Sequence, residues 1–224
     1  MVQTSSLNSR DPHADQPVLA SGAALENAPG ALILIHGRGA SAHDILPLAG
    51  EIGAEALACL APQAAGNTWY PLSFLMPMQQ NEPFLSSALA KVETLVTHVE
   101  TAGISAEHII VGGFSQGACL ASEFIARHAR RYGGLLVFSG GLIGPEGTPR
   151  DYQGSLNGTP VFIGCSNVDA HIPEARVLET GEVLQRLGAD VDLRIYPGMG
   201  HTINRDELEA ARPIVSRVSA KTDG

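Results

Sequence analysis

His108-Ile109-Ile110-Val111-Gly112-Gly113-Phe114-Ser115-Gln116-Gly117-Ala118-Cys119-Leu120-Ala121 runs from a continuous apolar stretch, through a glycine-rich turn, into a helical pattern. Ile109, Ile110 and Val111 show no polar alternation, which predicts a strand covered on both faces. The turn itself, Gly113-Phe114-Ser115-Gln116-Gly117, has the GxSxG form of a nucleophile elbow. Three fixed positions at average residue frequencies give ~0.08 chance matches per chain of this size, so the flanking strand and helix carry much of the inference. A serine on so sharp a turn projects its hydroxyl above the sheet edge, and flanking glycines are needed where a Cβ would strike backbone. The alternative is a tight turn in which the serine is incidental.

Working outward, short aliphatic runs alternate with longer helical patterns, the rhythm of an α/β protein on a mostly parallel sheet. Strands are predicted over residues 17–19, 31–36, 56–60, 108–112, 135–139, 160–164 and 191–196, and helices over 42–52, 84–102, 116–130, 173–187 and 205–219. The runs Ile33-Leu34-Ile35 and Leu135-Leu136-Val137-Phe138 read as central strands like Ile109–Val111. Val191, Leu193 and Ile195 instead alternate with Asp192, Arg194 and Tyr196, which points to a strand with one wet face near an edge. Leu85, Leu89, Val92, Leu95, Val96 and Val99 form a helical stripe closed by Gly103. Pro213 predicts a kink or a late start in the last helix.

The 224 residues carry 14 Lys plus Arg against 23 Asp plus Glu, a net charge of −9, with 44% hydrophobic residues. At this size a single domain buries roughly 70% of its unfolded surface and needs no disulfide or metal staple. A polar, flexible leader over 1–16 and one domain over 17–224 are expected. No apolar run approaches the roughly 18 residues that span a bilayer, so stable membrane insertion is not expected. The acidic balance, with Lys91 and Lys221 the only lysines, argues against nucleic acid. The cluster Arg127, His128, Arg130 and Arg131 reads as a helix end, where cations complement the dipole. The first 30 residues lack a basic segment followed by an apolar one, which argues for a cytoplasmic protein. Cys59, Cys119 and Cys165 are odd in number, far apart and in apolar surroundings, as reduced core thiols are. No metal or cofactor is implied.

A serine hydroxyl needs a base, and the base needs a carboxylate to orient it. In a chain ordered Ser, Asp, His, the loop Pro197-Gly198-Met199-Gly200-His201 after the wet-faced strand presents His201 as the base. His171, in the loop where the acid is expected, is its rival; His98 and His128 sit on helices, His108 starts a strand and His13 lies in the leader. Asp169, after the 160–164 strand and before Pro173, is the candidate acid. It is preferred over Asp151, Asp190, Asp192 and Asp206, with a simple turn role as the alternative. The main-chain N–H of Gln116 is a candidate oxyanion donor, and that of Arg38, in His36-Gly37-Arg38-Gly39, the second. That stretch can also be read simply as the start of the next helix.

Together, Ile35-His36-Gly37-Arg38-Gly39, the serine elbow, Asp169 and Gly198-Met199-Gly200-His201 resemble the phospholipase/carboxylesterase family, which includes the acyl-protein thioesterases. The resemblance covers residues 31–219. It implies an α/β-hydrolase fold without a large cap domain, acting on carboxylic esters or thioesters through a Ser-His-Asp triad. Residues 140–159 are too few for a helical cap. Two departures stand out: Gly164-Cys165-Ser166-Asn167-Val168-Asp169 is longer than the family's usual HGxxD, and Arg38 replaces a commoner aliphatic residue. The 62–83 stretch carries Trp69, Tyr70 and Phe74, expected to bind substrate in an acyl or aryl pocket, with packing beneath the loop as the alternative. The leading expectation is hydrolysis of small to medium apolar esters. Thioester or lysophospholipid hydrolysis follows, then a noncatalytic ligand-binding fold. The expected partner is the ester or thioester substrate, with a homodimer left open.

Overall fold

The β-branched and aliphatic runs become strands because only a doubly covered sheet can bury both of their faces. A computed structural model describes residues 11–220. The strands are β1 (Val18–Gly22), β2 (Ala31–Ile35), β3 (Ala58–Pro62), β4 (Ile109–Phe114), β5 (Gly134–Phe138), β6 (Pro160–Ser166) and β7 (Asp190–Tyr196). They form one seven-stranded sheet in the order β1-β3-β2-β4-β5-β6-β7, parallel except for β1 on β3. This is an α/β-hydrolase fold. β2 and β5, buried throughout, and β4, buried except at Phe114, lie at its centre and the partly exposed β7 at its edge.

The helices are α1 (Ala42–Ile45), α2 (Leu48–Glu51), α3 (Phe84–Thr101), α4 (Gln116–Arg127), α5 (Glu174–Arg186) and α6 (Arg205–Ser219). One face of the sheet, through Ile33, Val111, Val137 and Ile163, packs on α3, α4 and α5. The other, through Leu32, Ile110, Leu136 and Phe162, packs on α1, α2 and α6. No helix lies between β5 and β6, and no helical cap covers the site among the described residues. No helix is long and apolar enough to cross a membrane among the described residues.

Three local expectations need correction. The helix expected over 42–52 is two short ones, because Pro47 has no amide to continue the ladder and itself begins α2 as its cap. The last helix does not start late: it runs from Arg205 through Pro213. The Asn204–Glu207 capping box fixes its start, and Pro213 sits on the solvent side of a helix whose Ala211, Ile214, Val215 and Val218 face the core. Residues 1–10 of the expected flexible leader lie outside the described residues, and 11–16 are docked rather than loose. Fully buried His13 donates its main-chain N–H to Ser87 Oγ (2.9 Å) and accepts at Nδ1 from the Ala65 amide (3.0 Å).

The chain leaves β3, crosses β2 and enters β4, so the sheet order reverses between β2 and β4. The loops after those two strands meet at this switch point, where α/β sheets open a crevice at their carboxyl ends. One of them is His36-Gly37-Arg38-Gly39 and the other is Ser115.

Candidate active site

Between β4 and α4, Ser115 adopts φ 57° and ψ −121°, a left-handed conformation that a serine holds only under the constraint of its surroundings. A Cβ on Gly113 would lie 2.6 Å from the Ile35 carbonyl oxygen, and one on Gly117 only 2.1 Å from the same atom. The glycines are therefore needed for α4 to approach β2, and that approach forces the turn.

Ser115 Oγ lies 2.8 Å from His201 Nε2, and His201 Nδ1 lies 2.7 Å from Asp169 Oδ2. A carboxylate accepts only, so Nδ1 carries the proton and Nε2 is free to accept from the serine hydroxyl. Gly198 and Gly200, both at positive φ, shape the histidine loop. Their amides donate to Asn167 Oδ1 and Ser166 Oγ at 2.9 and 3.1 Å, which ties that loop to the acid's loop. Asp169 Oδ1 accepts from the amides of His171 and Ile172 at 2.8 and 3.0 Å. Burial pushes this carboxyl up, but the His201 hydrogen bond and those two amides outweigh it and hold it below the usual carboxylate range.

His171, the alternative base, donates its amide to Asp169 while its ring stands edge-on to His201, centroids 4.8 Å apart. No hydrogen bond links its ring to Ser115 among the described residues. Phe114 packs on the other ring of the pair, His201, also at 4.8 Å. The main-chain N–H of Gln116 opens α4, where it has no intrahelical acceptor, and no backbone carbonyl among the described residues accepts from the main-chain N–H of Arg38.

These groups open into a cleft of about 470 Å³ lined by Arg38, Tyr70, Leu72, Phe74, His171 and Ile172 beside Ser115 and His201. Trp69 does not line it, contrary to expectation. It is fully buried, donates its indole N–H to the His36 carbonyl (2.9 Å) and packs against the rings of His13 and His36. A ring carrying one polar atom is best placed where that N–H finds an internal partner. Tyr70 and Phe74 do line the cleft, though each is almost wholly buried. Sequence reading missed Leu72, His171 and Ile172 as lining residues, since no spacing relates them to the serine. No group of three or more His, Cys, Asp or Glu side chains is arranged to hold a metal among the described residues.

Residues 18–219 match the phospholipase/carboxylesterase family, and the chain belongs to it. A phospholipase/carboxylesterase from Dyadobacter fermentans is 44% identical, with a TM-score of 0.87 over 90% of this chain and 96% of that one. Lysophospholipase-like protein 1 of Mus musculus is 27% identical over 161 residues, 70% of this chain and 67% of its own. Acyl-protein thioesterase 1 of Debaryomyces hansenii is 31% identical over 124 residues, 55% of this chain and 53% of its own. With that thioesterase and two plant carboxylesterases, the match spans about half of the relative's length.

Proposed function

We propose that this chain is a serine carboxylesterase that hydrolyses small to medium apolar carboxylic esters. The observation that carries the reading is the unbroken hydrogen-bonded line from Asp169 through His201 to Ser115 Oγ, which ends in an open cleft. In the first half-reaction Ser115 Oγ attacks the ester carbonyl carbon and its proton passes to His201 Nε2. Asp169 holds the ring and stabilises the imidazolium, and the main-chain amides of Arg38 and Gln116 receive the oxyanion. Collapse expels the alcohol, which takes the proton from His201 and leaves an acyl-enzyme. Water then attacks with His201 again as base, releasing the carboxylic acid and restoring the serine.

Tyr70, Leu72, Phe74, Phe114 and Ile172 make the walls largely apolar, and no carboxylate lines the cleft among the described residues. That lining supports an uncharged acyl or aryl group near the serine. The three cysteines are buried and unpaired, which suits a reducing, cytoplasmic compartment. The names of the thioesterase and lysophospholipase-like relatives favour a second reading, hydrolysis of a thioester or a lysophospholipid by the same serine. A panel of p-nitrophenyl esters of graded chain length, run beside acyl-CoA and lysophosphatidylcholine, separates the two. The first reading expects the highest kcat/KM on a short or medium ester. A higher value on acyl-CoA or lysophosphatidylcholine would transfer the assignment to the second.

A further inference from the structure

The segment 69–72 belongs to no strand or helix of the sheet, and its residues 70–72 form one wall of the cleft. Two side chains hold it from the site's side. Gln116 Oε1 accepts from the Trp69 amide at 2.9 Å, and Gln116 Nε2 donates to the Tyr70 carbonyl at 2.8 Å. The Arg38 guanidinium donates to the carbonyls of Tyr70, Pro71 and Leu72 at 3.0, 2.8 and 2.6 Å. Both side chains meet on the one Tyr70 oxygen. Arg38 makes no ion pair among the described residues, so its charge is spent on these carbonyls. A planar fork with five donors can span three consecutive carbonyls, which the single ammonium of a lysine cannot reproduce fully. On the far side, Asn81 Oδ1 accepts from the Leu72 amide at 2.8 Å.

The two cleft-lining residues whose main-chain amides are proposed as oxyanion donors are therefore the same two whose side chains grip its wall. We propose that Arg38 and Gln116 are positioning residues whose side chains lock the 69–72 segment to the oxyanion amides and thereby set the acyl-chain length the site accepts. This rests on the esterase reading for its substrate arm alone. Removing either grip frees the wall to shift. The space beside the acyl chain then changes while the Ser-His-Asp geometry, built on other loops, does not.

The test uses Arg38→Met, Gln116→Met, Arg38→Lys and the double methionine variant, each checked by thermal melting. Trp69 is the only tryptophan, so acrylamide quenching of its fluorescence reports the wall without any turnover. Quenching is expected to rise at least twofold in Gln116→Met. The octanoate-to-butyrate ratio of kcat/KM is expected to shift at least fivefold in both single methionine variants, mainly through KM. Arg38→Lys, whose single ammonium reaches fewer of the three carbonyls, should shift the ratio by an amount between wild type and Arg38→Met, and a shift as large as that of Arg38→Met would show that charge alone contributes nothing. The double variant should show less than the product of the single effects, because both side chains serve one carbonyl. Unchanged quenching with an unchanged ratio would overturn the proposal, as would an equal loss of kcat on every ester. Should Gln116→Met not fold, exposed Arg38 still decides the ratio arm. Should wild type hydrolyse no ester, the esterase reading fails and quenching alone decides the positioning role.

Discussion

His201 and His171 stand ring to ring at the mouth of the cleft, but only His201 touches both Ser115 and Asp169. His201→Ala should therefore cost on the order of 10⁶ in kcat, as loss of a triad histidine does in the subtilisin precedent, while His171→Ala should cost less than about tenfold. Steady-state kinetics on one p-nitrophenyl ester checks the ranking, and a reversed order would move the base to His171. Trp69→Ala belongs to stability, not to substrate contact. The change empties a fully buried site and orphans the His36 carbonyl, so unfolding in urea should show a loss of about 3 to 5 kcal/mol. The proposed nucleophile and base were placed by sequence features, Ser115 by its glycines and His201 by its loop, and the structure sets the two side chains 2.8 Å apart. The duties of the Arg38 and Gln116 side chains were not, because their partners are backbone atoms more than thirty positions away, and a carbonyl has no residue code.

At the scale of elements, α6 follows the histidine loop directly, and its start is fixed by Asn204 and Glu207. Glu207 is fully buried, accepts from the Asn204 amide at 2.8 Å through Oε2, and has no hydrogen-bond partner for Oε1. Burial pushes its carboxyl up to about 7. A raised folded value means that its stabilising contribution is complete below the ordinary 4.5 and is lost as pH rises through about 7. Glu207→Gln keeps the capping acceptor and removes the buried charge. Its Tm should exceed that of wild type by a few degrees at pH 8, with a smaller difference at pH 5, and an equal difference at both would contradict this account. Strand and helix positions were legible because β2, β4 and β5 are buried on both faces and α3 on one stripe. The break at Pro47 and the continuity through Pro213 were not, since a proline's effect depends on which side of the helix its missing amide faces.

Across the whole molecule, the loops over the carboxyl edge of the sheet are tied down by buried polar groups rather than by a cap. Glu123, nearly inaccessible, accepts from Arg127 at 2.7 Å and from the Ile143 amide at 3.1 Å. Arg176 braces the same 139–152 segment through the carbonyls of Leu142 and Gly144. No sequence spacing announces such a network. His36 and His13 likewise hold the approach to the cleft wall, accepting from the amides of Ala64 and Ala65. Burial lowers both imidazoles below the ordinary 6.5, so their contribution to stability is full above that value and is lost as pH falls beneath it. In the Glu207→Gln background, where the opposing carboxyl no longer titrates, Tm should decline steadily from pH 6.5 to 5. A flat or rising profile would show that these histidines do not limit stability.

The central claim, that Ser115 is the nucleophile activated through His201 and Asp169, is tested most directly by covalent labelling. The intact protein is treated with a fluorophosphonate, weighed by mass spectrometry, and the modified peptide is sequenced. The geometry predicts one adduct, carried on Ser115, and none in a folded Ser115→Ala protein. An adduct on another residue, or undiminished labelling of that variant, would contradict it.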